Sequence, residues 1–230
     1  MVAPIDELRP RLTEAFEEWA AGGSQGSSPG QLSCALSGGA TALIFLGALR
    51  NANVDWSRIT LFWTDERAVA PDDPESNYGV AERMLLTPLR AKAPRAIRMP
   101  ADMPHLGEAA LRYDSILAHE LRNGPLDLAL VGVGEDGHIC ALFPGHRALI
   151  NDDLRVVAVE DAPKPPPRRL SLTLPFLAQT RKIWLIAVGP RKLAALQAAL
   201  SKTQHSTPLD LLCHQAKDLT VFTDQVIRRQ

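Results

Sequence analysis

Paired cysteines, an excess of charge and a long apolar run are all missing from this chain of 230 residues. The three cysteines, Cys34, Cys140 and Cys213, are an odd number, lie far apart and show no C-x-x-C spacing. That argues against a disulfide framework or a structural zinc site and fits a reducing cytosol. The formal net charge is −1, from 25 basic and 26 acidic residues that are interspersed. No sequence-wide field therefore favours nucleic acid or an anionic membrane, and anion binding must come from a local site. The N-terminal stretch MVAPIDELRPRLTEAFEEWA is charged throughout and has no signal-peptide core. The longest apolar run, ALIFLGAL, is too short to span a bilayer. These absences predict a cytoplasmic protein with neither a nucleic-acid nor a membrane partner. Nothing in them marks an oligomer interface, because no coiled-coil pattern or apolar surface stripe is present.

What is present is a large supply of core residues, 46% of the chain, and a length that fits one domain spanning 1–230. Helix-type spacing of Leu8, Leu12, Phe16 and Trp19 predicts a helix over 6–20. A Gly- and Ser-rich loop (21–30) follows, then a strand LSCAL, a turn SGG and a helix 40–51. RITLFW, AIRM, LDLALVGV, RVVAVE, RLSLTL, IWLIAVG and LTVFTD read as further strands. Helices are expected over 76–86 with Ser76 as N-cap, over 107–121, over 191–200 and from Pro208. DAPKPPPRR (161–169) is too rich in proline for regular structure. Strands alternating with helices predict an α/β fold, a Rossmann-like, mostly parallel sheet with helices on both faces. LSCAL, ITLFW, LALVGV and IWLIAVG lack clean alternation, as expected of strands buried on both sides.

Ligands of open α/β sheets bind at the carboxyl ends of the strands. Four predicted strands end in unusual chemistry: Ser37-Gly38-Gly39-Ala40-Thr41, Thr64-Asp65-Glu66-Arg67, Gly134-Glu135-Asp136-Gly137-His138 and Gly189-Pro190-Arg191-Lys192. Parallel strands would gather them on one edge. SGGAT offers close backbone approach and a helix N-terminus suited to phosphate, although the motif alone reads better as an ordinary βα turn. It lacks the lysine of a Walker A loop, which disfavours a nucleoside triphosphate. Lys192 falls in the first turn of a helix, where a cation opposes the dipole, so it either answers an anion or is a solvated lysine. Arg67 can grip a phosphate or carboxylate in bidentate fashion, or join a local ion pair. Asp65 and Glu66 point opposite ways if their strand continues, so they are not a paired acid and base.

Gly132 to Gly137 matches the dinucleotide pattern G-x-G-x-x-G, but that motif needs an uninterrupted helix and an acidic residue at the end of the next strand. Pro144-Gly145 breaks any such helix, and Asp152-Asp153 falls before the next strand. The glycines instead suit a sharp turn that exposes Asp136 and His138, a histidine being a base near neutral pH whose tautomer a carboxylate can fix. His146 makes only a weak metal pair with it. No G-x-S-x-G elbow occurs and no cysteine has an evident activating partner, which favours direct attack by water.

Four blocks in register carry a resemblance across most of the chain: LSGGAT, FWTDERAVAPDDPESNYGVAERMLL, DLALVGVGEDGHICALFPG and PPPRRLSLTLPFLAQTRKIWLIAVGPRK. In these the chain resembles the 6-phosphogluconolactonases. The resemblance implies hydrolysis of 6-phospho-D-glucono-1,5-lactone in the oxidative pentose phosphate pathway, with no metal and no cofactor. It implies His138 as base with Asp136 beside it. It implies that Ser37, Gly38, Gly39, Thr41, Asp65, Arg67, Gly134 and Lys192 line the substrate's site, with Arg169 a weaker member. The chain departs from the family pattern at Ala42, where proline is common, and at Ile139 and Cys140 within the DGHTASLFP string. Ile139 shifts the string toward the related glucosamine-6-phosphate deaminases, which are the alternative enzyme class; a non-catalytic sugar-phosphate sensor is the other alternative. The stiff Pro-rich loop also raises the expectation that Lys164 and Arg168 close over a phosphate.

Overall fold

The computed structural model describes residues 1–23, 30–150, 154–201 and 206–227. Asp152 and Asp153, and most of the 21–30 loop, lie outside these residues. Helix α1 (Ile5–Ala21) leads into strand β1 (Leu32–Leu36) and helix α2 (Ala42–Asn51). Strands β2 (Ile59–Trp63) and β3 (Asp65–Arg67) precede α3 (Asn77–Ala81), which continues through a π-helical turn, Glu82–Leu86, into α4 (Thr87–Leu89). Then come β4 (Arg95–Ala96), α5 (Leu106–Glu120), β5 (Leu128–Gly132), β6 (Val156–Val159) and β7 (Arg169–Leu172). The rest is α6 (Leu174–Ala178), β8 (Lys182–Ala187), α7 (Leu193–Leu200), α8 (Pro208–Gln215) and β9 (Leu219–Thr223).

Six strands form one parallel sheet in the order β4-β2-β1-β5-β8-β9. Its central strands β1 and β5 bury both faces, which is why their side chains do not alternate. The chain runs outward from β1 to β2 and β4 on one side, and from β5 to β8 and β9 on the other. The switch point therefore lies between β1 and β5, where such sheets open a crevice for ligands. The buried apolar side chains form one cluster, with Phe16, Phe45, Phe62, Trp63 and Tyr113 fully enclosed.

Three strands leave the parallel arrangement. β3, β7 and β6 make a separate antiparallel sheet, so RVVAVE and RLSLTL do not extend the main one. DER, read from the sequence as the chemistry at the end of the β2 strand, is itself a strand, set opposite β7 with Asp65 facing Ser171, Glu66 facing Leu170 and Arg67 facing Arg169. One residue, Thr64, separates β2 from β3, and it is held by its N–H to Leu36 O at 2.9 Å. The small sheet thus hangs directly over the crevice.

Candidate active site

The four motif-bearing segments follow β1, β2, β5 and β8, which are neighbours in the sheet. They meet in a cleft of about 230 Å³ lined by Ser37 to Thr41, Asp65, Arg67, Gly132 to Glu135, His138, Cys140, Lys164, Arg169 and Lys192. Every residue assigned to substrate from the sequence lines it. Asp136 stands just behind, against His138.

The turn after β5 is shaped by two glycines. Gly137 has φ +79°, a left-handed conformation that costs glycine nothing, and its N–H reaches Gly134 O at 3.1 Å. A Cβ on Gly134 would sit 2.0 Å from His138 Nδ1, so only glycine leaves room for the imidazole. No helix follows: Ile139 bridges back to Val133 and on to Leu142. The dinucleotide match is therefore a coincidence of glycine spacing. Gly134 N–H is already donated to His138 O at 2.9 Å, which removes it as a donor to an oxyanion. From the far side Leu209 N–H donates to Gly137 O at 3.1 Å, and Thr207 packs where a Gly137 Cβ would go.

His138 Nδ1 makes a short hydrogen bond to Asp136 Oδ1, and its ring stacks on Phe143 with centroids 4.6 Å apart. Burial lowers its basicity, and this outweighs the opposite pull of Asp136. Burial alone would raise the Asp136 carboxyl, but hydrogen bonds from His138 and Lys164 override it and hold the group down at about 2. The stable pairing near neutrality is a carboxylate accepting Nδ1–H from a neutral imidazole. That leaves Nε2 as the nitrogen able to take a proton. Lys164 Nζ lies 3.0 Å from Asp136 Oδ2. Its 3.3 Å approach to Nδ1 is a charge contact, since Nδ1 already carries a donated proton.

The cationic side is built by β3 and β7. Arg67 and Arg169 are directly opposed in the register, and like charges in that relation are destabilising unless an anion joins them. Arg67 Nη1 donates to Glu75 O at 2.9 Å, while its buried Nε has no hydrogen-bond partner among the described residues. Arg169 spends Nε on Pro166 O and Nη2 on Lys164 O and Pro165 O, so two of its three nitrogens hold the Pro-rich loop. Lys192, in the 3-10 turn Pro190–Lys192 before α7, donates Nζ to Thr41 Oγ1 at 2.8 Å, tying the β8 loop to the N-terminus of α2. Burial lowers its ammonium below the usual lysine value.

Several residues came into view only with the coordinates. Asn77 Nδ2 donates to Asp65 O at 2.9 Å, and a Cβ on Gly38 would fall 1.7 Å from Asn77 Oδ1. Asn77 thus clamps the DER strand to the SGGAT loop, and the SNYG string was its signal. Glu66 points away from Asp65, as alternation requires, and accepts from Arg67 N, Ser76 Oγ, Asn77 N and Tyr78 N. Ser76 caps α3 through Gly79 N. Arg168 is not over the cleft: it bonds Glu160 Oε2 at 2.7 Å and Pro104 O at 3.1 Å. His146 uses Nε2 on Asp161 and Nδ1 on Ala148 N–H, so it makes no pair with His138. Ile139 is fully buried and does not line the cleft. Among the described residues no three His, Cys, Asp or Glu side chains group so as to hold a metal ion, and no helix is long and apolar enough to cross a membrane.

A parallel sheet whose switch-point crevice holds a carboxylate-paired histidine beside paired arginines defines an enzyme-type anion site. Comparison with known proteins gives it a family. Residues 5–221 match the model of the glucosamine-6-phosphate isomerases/6-phosphogluconolactonase, and the chain belongs to that family. A 6-phosphogluconolactonase of Mycobacterium tuberculosis is 38% identical over 188 residues, covering 77% of this chain and 76% of the relative. The solved 6-phosphogluconolactonase of Shewanella baltica superposes with a TM-score of 0.83 at 25% identity, covering 97% of this chain and 95% of the other. That of Trypanosoma brucei gives 0.81 at 25% identity, with 97% and 94% covered.

Proposed function

We propose that this chain is a lactone hydrolase that opens 6-phospho-D-glucono-1,5-lactone to 6-phosphogluconate in the cytosol, with His138 as general base. The observation that carries the role of His138 is its environment: a half-buried imidazole whose basicity burial lowers, with Nδ1 fixed by an ionised carboxylate, in a residue that lines the cleft.

In this reading Nε2 takes a proton from water as its oxygen attacks the lactone carbonyl carbon. Charge passes to the carbonyl oxygen, which needs a donor placed where that charge develops. Arg67 supplies it, since the Gly134 N–H is committed elsewhere. The carbon–ring-oxygen bond then breaks, the imidazolium returns its proton to the departing alkoxide, and the new carboxylic acid releases its remaining proton to solvent as the carboxylate. Asp136 holds the tautomer and steadies the transient imidazolium. The phosphate is held at the mouth by Lys192, Thr41 and the α2 N-terminus, with Ser37, Gly38 and Gly39 allowing close backbone approach. The mechanism routes no step through a metal or an organic cofactor. A glucosamine-6-phosphate deaminase reading gains nothing from Ile139, whose side chain lies in the core.

The test is hydrolysis of freshly generated lactone, coupled to 6-phosphogluconate dehydrogenase and corrected for spontaneous opening. His138→Ala should lose ~10²–10⁴-fold in rate, the usual contribution of one positioned base. Wild-type activity at background, or a His138→Ala rate close to wild type, would overturn the reading.

A further inference from the structure

The segment 161–169, DAPKPPPRR, contains four prolines, which lack an N–H, so it is rich in carbonyls and poor in donors. Backbone N–H groups of Ala162 and Ala68 meet Pro167 O and Arg168 O, both at 2.9 Å, and one side chain meets three further carbonyls. Arg169, 4% exposed, reaches Pro166 O at 2.9 Å, Lys164 O at 2.9 Å and Pro165 O at 3.1 Å. Its guanidinium carbon lies 5.6 Å from the centroid of Phe143, the ring on which His138 stacks. From the same loop Lys164 Nζ comes to 3.0 Å from Asp136 Oδ2. The contacts close a ring: His138 to Phe143, to Arg169, to the loop carbonyls, to Lys164, to Asp136 and back to His138. An exposed lysine loses entropy when it is held in an ion pair and gains little. Here the backbone is fixed before the side chain begins, so less freedom remains to be lost.

We propose that Lys164 is a positioning residue for the base: anchored through Arg169, it grips Asp136 Oδ2 so that Oδ1 stays on His138 Nδ1 and the proton-accepting Nε2 stays in the cleft. The inference rests on the reading of His138 as the base. It replaces the lid expected from the sequence with a fixed strut.

The arrangement has an electrostatic consequence. The charged groups acting on His138 are Asp136 on its own turn, Asp65 from β3 and Lys164 from the loop. The two carboxylates favour the imidazolium and the ammonium opposes it. Cys140, beside them, stays a neutral thiol because burial raises it. Arg67, Arg169, Glu135 and Lys192 complete the charged lining of the cleft. Without the ammonium the carboxylates act unopposed, and the base takes up its proton at a higher pH.

The experiment compares wild type, Lys164→Met, Lys164→Arg and His138→Ala for kcat and KM between about pH 5 and pH 8, where histidine titrates. In parallel, an NMR titration of the His138 ring is run on wild type and Lys164→Met, with His138→Ala assigning the signal; it needs no substrate. Expected for Lys164→Met are a kcat lower by ~10-fold at neutral pH, a KM within ~3-fold, and an acid limb and ring titration both moved up by roughly half a unit or more. Lys164→Arg should restore most of the rate. A KM raised ~10-fold with an unmoved ring titration would make Lys164 a substrate-binding cation and overturn the proposal; so would an unmoved titration with unchanged kinetics. Failure of the lactonase reading would show separately, as wild-type activity at background or as an active His138→Ala, while the ring titration still decides the role of Lys164.

Discussion

Gly134→Ala isolates the position of the imidazole from its chemistry. The added methyl would lie 2.0 Å from His138 Nδ1, 2.2 Å from Cε1 and 2.6 Å from Asp136 Oδ1, where ordinary van der Waals contact begins at 3.4 Å. The ring must therefore move by roughly 1.4 Å, the difference between the Nδ1 distance and contact. The ring cannot simply slide, because Phe143 stacks on its face at 4.6 Å and Asp136 holds its edge. A misplacement of about 1 Å at a reacting group costs ~10²-fold, so kcat should fall by at least ~10²-fold while KM changes little. The coupled lactone assay gives the rates, and circular dichroism with a thermal melt confirms that the sheet is intact. Gly107→Ala, on α5 with no atom near its would-be Cβ, serves as the control and should keep wild-type rates. A folded Gly134→Ala with kcat within ~3-fold of wild type would refute the placement of His138 as the base.

Two further outcomes follow from the same contacts. Burial lowers His138 in the folded state, so kcat/KM should fall on acidification with its inflection below the ordinary imidazole value of about 6.5. The unfolded chain binds more protons at that site, and stability is therefore full above about 6.5 and is lost as pH falls through the lower folded value; wild type should lose more Tm between neutrality and about pH 5 than His138→Gln does. Glu66→Gln replaces an acceptor of four donors with a group that carries its own N–H. One buried donor is left facing another, and the midpoint of urea unfolding should fall by the equivalent of ~1–3 kcal/mol; an unchanged midpoint would show that the carboxylate does not hold the start of α3.

The sheet was legible because its strands are buried on both faces and its helices carry a clean 3.6-residue period. LSCAL matches β1 residue for residue, and Ser76 caps α3 as its position implied. The four strand-end motifs share one cleft because parallel strands bring their carboxyl ends to one edge, which is a rule of topology that needs no coordinates. The antiparallel sheet was not legible. DER spans three residues, too few for a period to register, and its partner β7 lies about a hundred positions on, so the pairing is purely non-local. α6, LPFLA, carries no signal of its own for a similar reason: five residues give no helical repeat, and the expected strand RLSLTL takes in only its first residue, Leu174. Side-chain commitments were equally hidden. Nothing in PPPRR says that one arginine faces solvent-side Glu160 while the next turns inward to hold three carbonyls.

That pairing also explains a conflict in the local chemistry. Arg67 and Arg169 face each other across two strands, and each is largely buried, an arrangement that raises the energy of the unliganded protein. Burial and the neighbouring Arg67 charge both weaken the hold of Arg169 on its proton. The structure offsets part of this by committing Arg169 to the loop and Arg67 to Glu75, and Asp65 lies between them and His138 as a further counter-charge. In the proposed mechanism, what remains is a positive site whose best partner is an oxygen that becomes negative during the reaction. An anion bound equally well before and after would make the site a phosphate trap, whereas charge that develops only at the lactone carbonyl gains the interaction in the transition state. In that mechanism the same arginine that gives up two nitrogens to the loop thereby fixes Lys164 and, through Asp136, the base that activates the attacking water. The electrophilic and basic halves of the site then depend, in the proposed mechanism, on one side chain, so substitution of Arg169 should damage both kcat and the pH profile together, whereas Arg67→Lys should lower kcat and leave the acid limb where it is.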